Sequence, residues 1–297
     1  MQIFDKPNIN PNLSLALGFF DGVHIGHKAV IESAVNFAKE SNSKSAVITF
    51  KEHPSKYLFK NTPLYILTDD ERIQKIEALG VDFLYELNFE NIANLDAQAY
   101  LKNILIKNFS PNSISTGWNH NFGHNKTGNV KFLRENSDIF GYKYFEIKPK
   151  KFNDEIISST LIRKSLALGE IERVNNMLGY NFSIKGKIIE GNKLGRTLGF
   201  RTANIIYPEN IVKIPHGVYS VEIKLANKNI KKGIANFGTR PTINGNTTIL
   251  EVHIFDFEQN IYNENIIISF NKKIRNEKKF NSLEELKQQI EKDILSI

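Results

Sequence analysis

The stretch from Leu13 to His27 constrains the fold more than any other part of the chain. It begins with a largely apolar run that ends at Gly18, and two histidines three positions apart follow after a short turn. Apolar residues at helical spacing then continue from Val30 to Ala38. The order of these patterns predicts a strand, a glycine-bearing turn and a helix.

The turn and the start of this helix suit a bound phosphate group. Glycines let the backbone approach a ligand, and the first turn of a helix offers unpaired N–H groups and the positive end of the helix dipole. His24 and His27 lie there and can donate hydrogen bonds to phosphate oxygens. The alternative is an ordinary turn with two surface histidines. Four further residues of the segment favour the phosphate site: Gly18, Asp21, Gly22 and Gly26.

The length and composition of the chain admit a two-domain protein. Its 297 residues suffice for two domains, each with its own core. The absence of cysteine excludes disulfides, thiolate metal sites and cysteine nucleophiles. Residues 1–12 lack the apolar core of a signal peptide, and no apolar run approaches the length of a membrane span. We therefore expect a soluble cytoplasmic protein without a membrane partner.

The net charge of +7 is concentrated in the second part of the chain. Residues 1–180 contain 21 Lys and Arg against 20 Asp and Glu, whereas residues 181–297 contain 18 against 12. Such an excess attracts anions, of which ATP and nucleic acid are two candidates, although a lysine-rich composition alone also explains it. The lysines are scattered and form no known nucleic-acid motif, so no nucleic-acid partner is expected.

Strand and helix patterns alternate through the first part of the chain. Three segments have strand patterns: Ala46–Phe50, Val81–Glu86 and Ser113–Thr116. Helix patterns lie between them, and Thr68 with Glu71 forms a capping box at the start of one. Such alternation predicts a parallel sheet, in which ligands bind beyond the carboxyl ends of the strands. The turn at Gly18, the turn at His53 and the loop after Thr116 are therefore expected along one edge.

The loop of residues 117–129 is polar and carries interleaved aromatic residues. Trp118 and Phe122 can stack on a flat ring, and the amides of the loop can contact the edge of that ring. An ordinary surface loop is the alternative. His120 and His124 suggest a metal, but no carboxylate lies near them in the sequence, so we do not expect one.

Residues 157–163 predict the start of a second helix with phosphate-binding character. Ser159 and Thr160 can cap its free N–H groups, and Arg163 lies one turn further along. Hydroxyls and an arginine at a helix start suit a phosphate, although a plain capped helix is the alternative.

From Asn181 onward the pattern changes to strands separated by turn residues, with no helix until the end. This pattern is typical of an antiparallel barrel or sandwich. Ser282 and Glu285 predict the start of one final helix. We therefore place a domain boundary near residue 180.

Residues 191–204 combine glycines with basic side chains. Such a composition suits a backbone nest that wraps phosphates, and a plain β-hairpin is the alternative. Thr202 and Asn204 at the end of the segment carry hard oxygen atoms of the kind that Mg²⁺ accepts.

Glu251 lies at the start of an otherwise hydrophobic strand pattern and alternates with His253. A carboxylate at this position can serve as a general base. The alternative is an exposed glutamate on the face of a strand, without a catalytic role.

The segments described above, taken together and in their order along the chain, resemble the bacterial bifunctional riboflavin kinase/FMN adenylyltransferases, also called FAD synthetases. Residues 18–27 resemble the nucleotidyltransferase signature of that family, and residues 157–163 resemble its second adenylyltransferase motif. Residues 198–204 resemble its kinase motif. Similar kinase segments fall at 217–219, 238–242, 250–253 and 274–275. The resemblance covers nearly the whole chain.

The resemblance implies an α/β protein of two domains. An N-terminal parallel-sheet, Rossmann-like nucleotidyltransferase domain would span residues 1–180, and an antiparallel β-barrel riboflavin kinase domain with a C-terminal helix would span residues 181–297. The barrel would phosphorylate riboflavin with ATP and Mg²⁺ to FMN. The N-terminal domain would then transfer AMP from a second ATP to FMN, which gives FAD and pyrophosphate.

The resemblance also assigns roles to individual residues. His24 and His27 would stabilise the triphosphate of ATP, with Arg163 on the side of the outgoing pyrophosphate. Glu251 would accept the proton of a riboflavin hydroxyl. Further implied residues bind Mg²⁺ and ATP (Thr202 and Asn204) or ATP and flavin (Gly18, Phe19, Asp21, Gly22, Asn119, Ser159, Thr160, Gly191, Lys193, Gly195, Gly199 and Arg275).

The chain departs from the family pattern at a few positions. Arg201 stands where proline is usual, and His120 stands where an aromatic such as phenylalanine is usual. Two alternatives remain open at this stage. One is a nucleotidyltransferase for another acceptor with a barrel that only binds, and the other is a non-catalytic flavin- or RNA-binding regulator.

Overall fold

The computed structural model describes residues 1–7, 11–60, 62–190, 200, 202–242 and 245–297, with the backbone alone at 240–242 and 245–247. Contacts between Cα atoms divide the chain into two compact units, Met1–Ser159 and Thr160–Ile297, and each is described by itself. The boundary near residue 180 stays a prediction about where the chain can be cut.

A six-stranded parallel sheet forms the centre of the first unit. The strands of this unit, in chain order, are β1 (Gln2–Phe4), β2 (Leu13–Leu17), β3 (Lys44–Phe50), β4 (Phe83–Leu87), β5 (Ser113–Gly117), β6 (Asn121–Phe122), β7 (Gly128–Asn129), β8 (Lys143–Ile147), β9 (Lys151–Phe152) and β10 (Glu155–Ile156). The sheet has the order β1-β4-β3-β2-β5-β8, and every neighbouring pair is parallel. The predicted parallel sheet is therefore confirmed.

Helices connect the strands of this sheet. They are α1 (Ile25–Glu40), α2 (Pro54–Phe59), α3 (Asp69–Glu77), α4 (Ala97–Ala99), α5 (Lys107–Phe109), α6 (Val130–Glu135) and α7 (Ser137–Phe140). A π-helical segment, Tyr100–Ile106, joins α4 to α5. The predicted capping box is present at α3, where the Thr68 and Glu71 side chains each accept a hydrogen bond from the backbone N–H of the other.

Helix α1 packs its apolar face against β2, β3 and β5. Its buried side chains form the stripe that the sequence predicts: Val30, Ile31, Ala34, Val35 and Ala38. Complete burial of a valine or isoleucine side chain stabilises the fold by about 1.5–3 kcal/mol. The start of α1 is therefore held firmly against the end of the central strand.

The order of the strands positions a crevice at one edge of the sheet. All five residues of β2 are buried, and β2 lies between β3 and β5. The strand order reverses at this point, because the chain first builds the sheet outward from β2 through β3 and β4 and later returns to add β5. In open parallel sheets, ligands bind beyond the carboxyl ends of the strands at such a reversal.

Over the residues that the structure describes, the second unit is a closed antiparallel barrel with three helices. Its strands are β11 (Ser183–Ile189), β12 (Thr202–Ile206), β13 (Gly217–Lys224), β14 (Ile230–Thr242), β15 (Gly245–Ile254) and β16 (Asn265–Asn276). They close in the order β11-β12-β15-β14-β13-β16. The barrel is thus confirmed over the sandwich. The helices are α8 (Ser159–Leu168), α9 (Ile171–Leu178) and α10 (Leu283–Leu295), and Ser282 caps α10 as predicted.

Of the strands in the six-stranded sheet and the barrel, three are absent from the set that the sequence predicts: β1, β8 and β12. Strands β1 and β8 are the two edges of the sheet and contain no buried residue, so their sequences lack a strong apolar signal. Strand β12 directly follows the glycine-rich segment, whose composition indicates a loop. No helix in the described parts of the chain combines the length and apolar character that a membrane span requires.

Candidate active sites

The turn between β2 and α1 has an unusual backbone. Phe20, Gly22 and Val23 have φ angles of 60°, 82° and 34°, all in the left-handed region. This region is costly for a β-branched residue such as valine, and such strain is characteristic of functional sites. The glycine is required here for a second reason, because a Cβ atom on Gly22 would lie 2.9 Å from Cδ1 of Ile66.

His24 and His27 stack at the start of α1. The Nδ1 atom of His24 accepts a hydrogen bond of 3.2 Å from the backbone N–H of His27, so His24 is the N-cap of the helix. The ring centroids lie 3.6 Å apart with an interplanar angle of 19°. Gly26 makes room for this stack, since a Cβ atom there would lie 3.1 Å from the His24 ring. Because Nδ1 of His24 is an acceptor, its neutral imidazole carries the proton on Nε2, as a phosphate donor requires.

Asp21 binds the protein rather than pointing into open space. Its buried carboxylate accepts hydrogen bonds of 3.0 and 3.2 Å from the backbone N–H of Ile66. The turn is thereby fixed to the segment that precedes α3. The resemblance assigns Asp21 to ligand binding. In this geometry its carboxylate instead supports the shape of the turn.

Ser159 connects the second predicted motif to the first. Its Oγ atom donates a hydrogen bond of 2.9 Å to the backbone carbonyl oxygen of Asp21. Thr160 and Arg163 follow on α8, where Thr160 is exposed and Arg163 is partly buried.

Sequence reasoning missed Arg72, which is buried beside the turn. Its guanidinium donates hydrogen bonds of 3.0 Å to the carbonyl oxygen of Phe19 and to Oγ1 of Thr49, and one of 2.9 Å to Oε1 of Glu86. It also lies over the Phe19 ring, 4.8 Å from the centroid. Burial raises the pKa of Glu86, while the nearby Arg72 lowers it. The sequence holds a weak signal that Arg72 is buried, because this residue precedes the buried Ile76 by one helical turn and so lies on the same face of α3.

The turns after β2 and β3 meet, as the sequence predicts. The rings of Phe19 and His53 contact each other edge to face with centroids 4.7 Å apart. A cavity of about 680 Å³ opens beside His53, and its lining includes Lys51, Tyr57, Glu86 and Phe89.

The loop after β5 holds a partly buried imidazole. The Nε2 atom of His120 is buried and has no hydrogen-bond partner within the described ranges, and the ring stacks on Phe122 at 5.7 Å. Burial lowers the pKa of His120 to about 4. Trp118 and Asn119 are exposed at the beginning of the same loop.

In the barrel, Asn204 on β12 lies directly opposite Glu251 on β15. Asn204 is 3 % exposed, and its Oδ1 atom has no hydrogen-bond partner among the residues that the structure describes. Thr202 lies two positions earlier on β12 and is partly exposed. The predicted residues Gly191, Lys193, Gly195 and Gly199, together with Arg201, lie outside the described residues.

Arg275, which the resemblance assigns to ligand binding, pairs with the C-terminal helix. Its Nε and Nη2 atoms donate to the two carboxylate oxygens of Asp293 at 2.9–3.0 Å. Asp293 is the buried side chain of α10 and also accepts a hydrogen bond of 2.9 Å from Gln289. The guanidinium of Arg275 therefore anchors α10 to the barrel.

The oxygen atoms of Thr202 and Asn204 suit a magnesium ion. Among the described residues, no cluster of three His, Asp or Glu side chains could hold a metal. Mg²⁺ does not need such a cage, because it is usually held by one or two protein oxygens together with water and the phosphates of a nucleotide. A buried amide oxygen without a partner, as on Asn204, fits that donor set.

Comparisons with known proteins match both halves of the chain. A family model of FAD synthetase matches residues 6–161, and a family model of riboflavin kinase matches residues 178–297. A bifunctional riboflavin kinase/FMN adenylyltransferase from Haemophilus influenzae is 39% identical over 95% of this chain and 92% of its own length. The Bacillus subtilis protein of the same name is 36% identical, over 94% and 89% of the two chains. The Escherichia coli K12 protein is 32% identical, over 95% and 90%.

A solved structure extends the likeness to the whole fold. A Streptococcus pneumoniae protein described as a macrolide-efflux protein has a TM-score of 0.90 and 30% identity, and the match covers 99% of this chain and 98% of that one. The fold, the sites and the two family models define an enzyme class, the transferases that build flavin nucleotides. The chain belongs to the bifunctional riboflavin kinase/FMN adenylyltransferase family.

Proposed function

We propose that this chain converts riboflavin to FMN in its barrel and FMN to FAD in its parallel-sheet unit, with one ATP consumed in each step. The observation that carries the proposal is the pairing of Asn204 with Glu251 across neighbouring barrel strands. In this proposal Glu251 is the general base, and Asn204, its partner on the neighbouring strand, is an oxygen donor for the nucleotide. The family membership of both halves supports the same conclusion.

In the kinase step, a hydroxyl of riboflavin attacks the γ-phosphorus of ATP and ADP leaves. Glu251 accepts the proton of that hydroxyl, and a positioned general base of this kind contributes about 10²- to 10⁴-fold to a rate. Thr202 and Asn204 hold the nucleotide end of the site. Mg²⁺, when bound there, neutralises charge on the phosphates of ATP.

In the adenylyl transfer, a phosphate oxygen of FMN attacks the α-phosphorus of a second ATP, and pyrophosphate leaves. His24 and His27 donate hydrogen bonds to the triphosphate as charge develops, and the N-terminus of the 16-residue helix α1 adds its dipole. Ser159, Thr160 and Arg163 act on the pyrophosphate side. The rate enhancement comes from positioning and electrostatic stabilisation, without a covalent intermediate.

We infer further that Asn119 and the exposed Trp118 contact the flavin in the adenylyl-transfer site. The substrates and products of both steps are small soluble molecules, so we place the enzyme in the cytoplasm.

The experiment is a time course of purified protein with riboflavin, ATP and MgCl₂, with separation of the flavins by chromatography. We expect FMN to appear first and FAD to follow, with ADP and pyrophosphate released, and we expect chelation of Mg²⁺ to stop FMN formation. Riboflavin left unchanged in the presence of Mg²⁺ contradicts the kinase assignment, and FMN that is never converted to FAD contradicts the adenylyltransferase assignment.

A further inference from the structure

Asn236 on β14 lies directly opposite Glu251, on the side away from Asn204. The three residues therefore form a row across three neighbouring strands, with the carboxylate in the middle. Directly paired residues of antiparallel strands point to the same face, with Cβ atoms about 4.5–5.5 Å apart. The amide of Asn236 is thus within reach of anything that binds the Glu251 carboxylate.

The row lies on the outer face of the barrel. Ala235 and Phe237, which flank Asn236 along β14, are completely buried, and Leu250 and Val252 flank Glu251 in the same way. Because successive side chains of a strand point to opposite faces, Asn236 and Glu251 point outward.

One end of the row is closed and the other is open. Asn204 is buried, whereas Asn236 is exposed. Two positions along the strands, His253 lies opposite Ile234. There Phe200 contacts His253 edge to face at 5.2 Å, and the outward Ile234 is only 6 % exposed. In the other direction, the next outward position on β14 is Gly238, and the Glu277 carboxylate lies close to it, with Oε1 3.5 Å from the place that a Cβ atom on that glycine would take. Asn236 is therefore the exposed end of the row, and a substrate can approach Glu251 from its side.

An asparagine in the middle of a long barrel strand is also unexpected on local grounds. Asparagine is depleted in strands, because its short amide favours turns. Its amide carries both donors and an acceptor, which suits a chain of neighbouring hydroxyl groups.

We propose that Asn236 is a specificity-determining residue of the kinase, and that its amide hydrogen-bonds the inner hydroxyls of the polyol chain whose terminal hydroxyl Glu251 deprotonates. The inference rests on the proposed kinase activity of the barrel. It assigns recognition of the sugar-alcohol chain to β14, at the open end of the row.

The test compares riboflavin with a flavin that carries a 5-hydroxypentyl chain, which keeps the terminal hydroxyl and lacks the inner ones. For Asn236→Ala, we expect kcat/KM to fall about 10-fold with riboflavin and less than about 2-fold with the hydroxypentyl flavin, as the loss of a hydrogen bond predicts. Lys232→Ala, at an exposed position on the same strand and face, is the control and should leave both values unchanged. Asn236→Val, which suits a strand, replaces the alanine variant if that variant does not fold.

Equal losses with both flavins, or no loss with either, overturn the inference, because the residue would then be structural or irrelevant. These outcomes are distinct from a failure of the proposed function. If the kinase assignment is wrong, wild-type protein makes no FMN from riboflavin, whatever residue stands at position 236.

Discussion

The Oγ atom of Ser159 donates a hydrogen bond of 2.9 Å to the backbone carbonyl oxygen of Asp21, although the two residues are 138 positions apart. Asp21 belongs to the strained turn after β2, and Ser159 is the first residue of α8. The two segments that the sequence identifies separately as phosphate-binding are therefore connected by one hydroxyl group.

This contact predicts that Ser159→Ala slows FAD formation. A single hydrogen bond contributes about 0.5–1.5 kcal/mol, so we expect a loss of up to about 10-fold in kcat/KM for FMN. Ser159→Thr keeps a hydroxyl and should retain most of the activity. Rates of FAD formation from FMN and ATP provide the measurement, and an alanine variant as fast as wild type would show that the contact has no part in adenylyl transfer.

The stacked histidines predict a selective defect. His27→Ala should block FAD formation and leave FMN formation nearly intact, so FMN should accumulate when riboflavin and ATP are supplied. Asn36→Ala, at an exposed position on the same helix, is the matched control. Flavin products are measured by chromatography, and unchanged FAD output from His27→Ala would remove this turn from the reaction.

The partly buried ring of His120 predicts a dependence of stability on pH. Its pKa is about 4 in the folded chain, against an ordinary value of 6.5, because burial disfavours the charged form. Between these values the unfolded chain binds the extra proton, so the stability that His120 contributes falls as pH decreases from about 6.5 to about 4.

We therefore expect the melting temperature of wild type to fall more steeply than that of His120→Phe over this range. Above about pH 7 His120 is neutral in both states, so its titration no longer separates the two proteins. Melting temperatures of both proteins at several pH values give the comparison. Parallel curves from pH 7 down to pH 4.5 would mean that His120 titrates normally.

The contacts of α9 predict how the chain can be divided. Asn175 accepts a hydrogen bond of 2.8 Å from the N–H of Phe182 and donates one of 2.9 Å to the carbonyl oxygen of Phe270. Val174, Met177 and Leu178 on the same helix are buried. A fragment of residues 181–297 contains every kinase-like segment but lacks this helix.

We expect residues 160–297 to unfold cooperatively and to phosphorylate riboflavin. Residues 181–297 should retain the activity with a lower melting temperature, because each fully buried side chain of α9 contributes about 1.5–3 kcal/mol. Calorimetry and the FMN assay on both fragments test this. A folded but inactive longer fragment would mean that the kinase site borrows residues from the first unit.

Local patterns predicted much of the fold because they report local physics. The apolar stripe of α1, the capping box of Thr68 and Glu71 and the Ser282 cap all appear where the sequence places them. The alternation of strand and helix predicted the parallel sheet for the same reason, since each helix must cover a face of that sheet.

Pairings between distant residues could not be predicted in this way. The contact of Arg72 with Phe19 depends on how α3 docks, and the row of Asn204, Glu251 and Asn236 depends on barrel register. A shift of one residue would turn every side chain of a strand to the other face, and no local pattern fixes that choice. The ion pair of Arg275 with Asp293 is a further distant pairing of this kind. The resemblance suggests a ligand-binding role for Arg275 and gives no sign of this partner.

The central claim is that one chain carries two separate sites, and Glu251→Gln tests it most directly. Glutamine keeps the shape of the side chain and removes the basic carboxylate. The measurement is the rate of FMN formation from riboflavin and of FAD formation from supplied FMN, both with ATP and Mg²⁺. We predict that the first rate falls by about 10²- to 10⁴-fold and that the second is unchanged. A wild-type rate of riboflavin phosphorylation, or an equal loss of both activities in folded protein, would contradict the account.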